Sequence, residues 1–147
     1  QRLIGRALRQ AVDLTKIEGL TIRLDCDVIS ADGGTRTAAI TGGWVALALA
    51  VKWARSQNLI PTDLEMKQVA AVSVGKVGGR ELVDLCYEED SQADFDLNFV
   101  FDEDLKIIEI QGTGEREPLN IEEIVSLYQK AAAATKELFN LQQETVK

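Results

Sequence analysis

Two short stretches of the chain hold residue types whose spacing could do chemistry. The first, Ala31-Asp32-Gly33-Gly34-Thr35-Arg36-Thr37, stands where a strand-like run gives way to a helix-like one. Unpaired N–H groups at a helix start, the positive end of the helix dipole and glycines that admit close approach together favour an anion. Thr35 and Thr37 add hydroxyl donors, and Arg36 adds a planar fork suited to phosphate oxygens. No lysine follows the glycines at the spacing of a P-loop, so that class is excluded. The same residues also make an ordinary tight turn, with Thr35 as a helix cap and Arg36 in a salt bridge. The second stretch is acidic: Glu88, Glu89, Asp90 and Ser91, with Asp94 and Asp96 just after. Oxygen ligands at a loop-to-strand boundary suit Mg²⁺, which commonly takes one or two carboxylates and leaves the rest to water and phosphate. Acids beside a turn are equally a solvated surface. Asp96 is the exception, because Phe95 and Leu97 flank it in a strand-like run, where an unpaired carboxylate is costly to bury.

A third candidate, the turn GKVGGRE with Lys76 and Arg80, could meet a backbone phosphate or be a plain charged hairpin. The chain has no histidine, which excludes Ser-His, Cys-His and His-metal mechanisms together. A net charge of −8 argues against holding nucleic acid on a broad basic surface, but not against one local anion site. Two cysteines, Cys26 and Cys86, are too few for a disulfide framework or a zinc site and read as small core residues.

These residues need elements to position them. With 46% hydrophobic residues among 147, the chain can build a core of one domain or two small ones. Residues 1–14 repeat apolar positions at helical spacing, with Arg2, Arg6 and Arg9 on the opposite face as a solvated stripe. That helix has no capping residue ahead of it, so the sequence is expected to begin within a fold. Residues 20–28 alternate like a half-buried strand, and 37–57 read as a long apolar helix buried in the middle of the molecule. Residues 59–67 form a connector broken at Pro61. Then come strands at 69–74 and 82–87 across a glycine turn, and at 93–101 and 105–110 across an acidic turn. In the third strand Phe95, Leu97 and Phe99 share one face, and Asp94, Asp96 and Asn98 the other. A polar loop, QGTGEREP, precedes a last helix that Asn120 and Glu123 open as a capping box and that runs to about Leu141. The longest apolar run, at 44–51, is short of the ~20 residues of a membrane span. No secretory signal opens the chain, so a soluble, intracellular α+β protein in two lobes is expected.

The strings LDCDVISADGGTRTAAITG, AAVSVGKVGG, DLCYEEDSQADFDLN and IIEIQGTGEREP, in this order, resemble the ribonuclease PH family over essentially the whole chain. Archaeal exosome ring subunits and polynucleotide phosphorylase are looser relatives. The resemblance implies part of a ribosomal S5 domain 2-like lobe at 1–63, a second α+β lobe at 64–147, and a hexameric ring built as a trimer of dimers. It implies a cytoplasmic, phosphate-dependent 3′–5′ exoribonuclease that trims transfer RNA precursor 3′ ends and releases nucleoside diphosphates. By it, Gly34, Thr35 and Arg36 hold the attacking phosphate, and Asp90 and Asp96 bind Mg²⁺ or assist proton transfer. Family members carry a further N-terminal segment with another phosphate-binding arginine, so completion by such a segment or a separate chain is expected. The alternative is a ring or scaffold subunit that keeps the fold without catalysis.

Overall fold

The computed structural model describes residues 2–147. It is an α+β structure whose centre is a four-stranded antiparallel sheet in the order β2-β1-β3-β4. The strands are β1 (Val69–Val77), β2 (Arg80–Val83), β3 (Phe95–Asp102) and β4 (Ile107–Gly114). Helices α1 (Arg2–Arg9) and α2 (Thr35–Ser56) lie on one face, and α4 (Ile121–Thr145) covers the other. A short helix, α3 (Tyr87–Asp90), joins β2 to β3.

Alternation along the strands divides the core. Ala70, Val72, Val74, Phe95, Leu97, Phe99 and Phe101 turn toward α4, where Leu127, Ala131, Ala132 and Phe139 meet them. Tyr128 of α4 packs edge-on against Phe99 and Phe101. The intervening positions Val69, Ala71 and Val100 turn the other way and pack with Leu3, Leu8, Ile40, Trp44 and Leu47 of α1 and α2. Further along that same face the residues become polar: Ser73 on β1 stands opposite Asn98 on β3, and Asp96 follows. This polar end lies near the start of α2 (below).

The sheet is closed at an unusual place. Strand β2 pairs with β1 only from Val74 to Val77, which leaves the first half of β1 without a strand on that side. Side chains take over, as buried backbone polar groups require. Thr41 Oγ1 accepts from Ala71 N at 3.1 Å and donates to Ala71 O at 3.2 Å. Gln142 Nε2, from α4, donates to Val69 O and Thr41 O, both at 3.0 Å. Gln68 Nε2 in turn donates to Phe139 O at 3.0 Å.

The expected capping box opens α4: Glu123 N donates to Asn120 Oδ1 at 2.9 Å, and Asn120 N donates to Glu123 Oε2 at 3.1 Å. Lys76 Nζ donates to the other oxygen of Glu123 at 2.7 Å, so Lys76 secures α4 to the sheet. Arg6 of the N-terminal stripe is paired with Glu109 on β4, whereas Arg2 and Arg9 are exposed as expected of a solvated face.

Several sequence expectations are corrected. Residues 20–28 form no strand, because every strand of the sheet comes from the second half and nothing among the described residues pairs with them. Cys26 is therefore exposed, and Cys86 is half-buried at the start of α3 rather than in a strand. The first helix stops at Arg9, and Ala11 and Val12 are buried beyond it, Val12 bridging to Met66. Strand β2 ends at Val83, where Asp84 takes φ 57° and turns the chain into α3. Strand β4 runs on through Gln111–Gly112–Thr113–Gly114, which reads as loop from its polarity. Helix α2 is long and apolar enough to cross a bilayer, but its Ile40, Trp44, Leu47 and Val51 are buried inside the protein. It is not buried all round, since Leu49 and Trp53 are exposed.

Candidate anion and metal site

The start of α2 is a glycine turn that lines a cleft. Its N-cap is Gly34, with φ 58°, and among the described residues no side chain caps the first-turn N–H groups. This overturns the tight-turn alternative in which Thr35 caps the helix. Thr37 Oγ1 instead donates to Gly34 O at 2.8 Å, stiffening the turn without using an N–H. Gly33, with φ 82°, is pressed against the chain before α3: a Cβ there would stand 2.2 Å from Leu85 O. Neither position accepts a side chain without strain, which explains the paired glycines. Asp32 Oδ1 accepts from Tyr87 N at 2.9 Å and ties the loop to the helix that carries Asp90.

Gly33, Gly34, Thr35, Arg36, Ser73, Leu85, Asp90, Asp96 and Asn98 line one cleft of about 100 Å³. The five residues singled out from sequence are thus brought together although they span 34 to 96. Arg36 makes a long contact of 3.5 Å with Gln111 Oε1 on β4 and forms none of the ion pairs found among the described residues. Its guanidinium fork retains capacity for an anion. Lys76 and Arg80 are not part of the cleft, and Lys76 is committed to Glu123.

Burial pushes the Asp96 carboxyl above the ordinary aspartate range, and the charge of Asp90 pushes it further, while Arg36 pulls it back. A buried carboxyl whose ionisation is made costlier by a neighbouring carboxylate is a setting that a divalent cation would relieve. No cluster of three or more metal-ligating side chains occurs among the described residues. Two carboxylates nevertheless fit Mg²⁺, which keeps water and phosphate oxygens as its other ligands. Glu88, Glu89 and Asp94 lie outside the cleft, Glu89 being used to cap α3 through Cys86 N.

Sequence reasoning missed Ser73 and Asn98, both buried and both in the cleft, and Gln111 beside Arg36. The available signal was VAAVSV, whose apolar residues on both faces imply a strand covered on both sides. Asn98, its neighbour in the sheet, could not then be solvent-facing. A second, wider groove of about 930 Å³ runs between α1 and residues 14–26, lined largely by apolar side chains such as Ile4, Leu8, Leu20 and Leu24. It does not include the loop or the two aspartates.

Known proteins are similar to this chain. The model for domain 1 of the 3′ exoribonuclease family matches residues 1–52, and that for domain 2 matches residues 67–134. The chain is similar to proteins named ribonuclease PH. It is 51% identical to that of Caulobacter vibrioides over 146 residues, covering 99% of this chain and 61% of the relative. It is 50% identical to that of a Synechococcus species over 149 residues, covering 99% and 62%. The chain thus spans about three-fifths of the length of these curated relatives. Among solved structures, the Archaeoglobus fulgidus exosome with RNA bound to the active site superposes with a TM-score of 0.69 at 22% identity, covering 95% of this chain and 58% of that one. An archaeal exosome core gives 0.70 at 20% identity, covering 99% and 62%. These two likenesses support a shared α+β fold.

Proposed function

This chain belongs to the 3′ exoribonuclease family, and from that membership we propose that its cleft performs phosphate-dependent shortening of RNA from the 3′ end. One observation carries the proposal: the uncapped, glycine-lined start of α2 with Arg36 opens into the same cleft as Asp90 and Asp96. Phosphorolysis sets one anion against another, so positioning and charge neutralisation are most of the task. The first-turn N–H groups, Thr35 and Arg36 hold inorganic phosphate with one oxygen in line with the last diester. That oxygen bonds to the diester phosphorus as the bond to the preceding ribose O3′ breaks. The terminal residue departs as a nucleoside 5′-diphosphate, and the shortened RNA takes a proton on O3′. Assisting that proton transfer is an alternative role for Asp96 to holding Mg²⁺, since a metal-bound carboxylate is ionised and carries no proton. Mg²⁺ held by Asp90 and Asp96 would offset the negative charge of the reacting groups. No histidine or covalent nucleophile is required, and the chain has no histidine.

Transfer RNA precursor ends as substrate, a ring of six copies as a trimer of dimers, and a cytoplasmic location belong to the same proposal. So do a boundary between lobes at 63/64 and completion of the site by a further N-terminal segment or chain. The similarity to proteins named ribonuclease PH supports them. The test is a short RNA with a single-stranded 3′ end, incubated with the intact protein and Mg²⁺, with and without inorganic phosphate. Nucleoside diphosphate should form only with phosphate. Neither phosphate binding nor turnover would favour the non-catalytic ring subunit, and nucleoside monophosphate formed regardless of phosphate would refute phosphorolysis.

A further inference from the structure

We infer that Ser73 is a further phosphate-binding residue, its hydroxyl donating to the anion from the floor of the cleft. The inference rests on the phosphorolytic reading above and adds a residue to it. Ser73 lies on the β1 face that packs beneath α2, where the two preceding positions of that face, Val69 and Ala71, are apolar. It is 7% exposed, and its Oγ has no hydrogen-bond partner among the described residues. Its backbone does not share that fate, since Ser73 O accepts from Asp84 N at 2.8 Å. Two residues earlier on the same strand edge, a comparable hydroxyl from Thr41 is fully engaged with Ala71. Buried hydroxyls are ordinarily satisfied, and one that is not costs stability.

The orphan lies against the helix start. A Cβ on Gly34 would stand 3.3 Å from Asp84 Oδ1, 3.4 Å from Thr37 Oγ1 and 3.9 Å from Ser73 Oγ, so the hydroxyl approaches the α2 turn from the sheet side, beside a carboxylate. Ser73 also lines the cleft that holds Arg36, Asp90 and Asp96. A tetrahedral phosphate presents oxygens in several directions. The α2 N–H groups address one side and Arg36 another, and Ser73 supplies a donor from beneath, where the carboxylates of Asp84, Asp90 and Asp96 would otherwise repel the anion. A serine fits where alanine would pack as well, because the hydroxyl is used when phosphate is bound.

Ser73→Ala therefore separates function from packing. Thermal unfolding of the intact protein and calorimetric titration with inorganic phosphate should be measured for wild type, Ser73→Ala and the near-isosteric Ser73→Cys. Without phosphate, Ser73→Ala should unfold at the wild-type temperature or above it. Its phosphate affinity should fall about tenfold or more, the loss of one hydrogen bond to a charged group. In phosphorolysis the phosphate KM should rise by a similar factor while kcat at saturating phosphate changes less. Wild-type phosphate affinity in Ser73→Ala would overturn the inference alone, as would lowered thermal stability with binding intact in both variants. A wild type that binds no phosphate would remove the phosphorolytic reading and the inference with it.

Discussion

At the scale of single residues, the site rests on a few groups held by their neighbours. Arg36 combines a fixed positive charge with a fork that the rest of the molecule leaves almost unused. Arg36→Ala should reduce kcat/KM for phosphate by roughly a hundredfold, as loss of one preorganised donor does. Arg36→Lys should restore part of it, because the charge returns without the paired geometry. Steady-state phosphorolysis with varied phosphate reads both; an Arg36→Ala enzyme with unchanged phosphate dependence would show that the anion sits elsewhere. From the residues alone the loop was legible as a strand-to-helix junction and Asp96 as a carboxylate costly to bury between Phe95 and Leu97, whereas only the family resemblance singled out Asp90 from the acids around it. Ser73 and Asn98 were legible only indirectly, through the apolar run VAAVSV that implies a strand covered on both faces. A polar residue in an alternating strand such as that of Asn98 reads as solvent-facing, and the position of α2 over that face places both residues in the cleft.

At the scale of elements, the hydrophobic periodicity located α2, α4, β1 and β3 within a few residues. It failed for residues 20–28, because alternation reports a half-buried surface and a strand also needs a pairing partner. It also failed to extend β4 through QGTG, where pairing with β3 overrides the low strand preference of glycine. Nor could it show that Thr41 and Gln142 complete the edge of β1. Gln142→Leu removes a donor from two carbonyls and should destabilise the fold by about 1–3 kcal/mol, the cost of leaving buried groups unpaired. A urea midpoint equal to wild type would show that these bonds contribute nothing.

The start of α4 gives a pH prediction. Hydrogen bonding to Lys76, then to Asn120 N, holds the Glu123 carboxyl below the ordinary glutamate range. The unfolded chain therefore takes up a proton at higher pH than the folded one, and the native state gains relative stability as pH rises. That contribution is complete above the ordinary glutamate pKa and is lost as pH falls through the lowered native value. Glu123→Gln should flatten the dependence of the urea midpoint across this acidic window, and an unchanged slope would contradict the assignment.

At the scale of the whole molecule, a sheet covered on both faces sets an apolar core beside a polar cleft on one continuous face. The strands running from Ala71 to Gly75 and from Val100 to Asp96 pass from the packed interior of α2 to its positive end. The α+β class was legible from periodicity, and so was the order of elements apart from the strand expected at 20–28 and the unforeseen α3. The meeting of residues 34–36 with 90 and 96 was not, because it depends on how α2 and α3 cross the sheet. The most direct test supplies the intact protein with a short single-stranded RNA, Mg²⁺ and inorganic phosphate carrying an oxygen-18 or phosphorus-32 label. The phosphorolytic reading predicts that the label enters the terminal phosphate of the released nucleoside diphosphate, one label per residue removed. Shortened RNA with unlabelled products would contradict it and assign the attack to water.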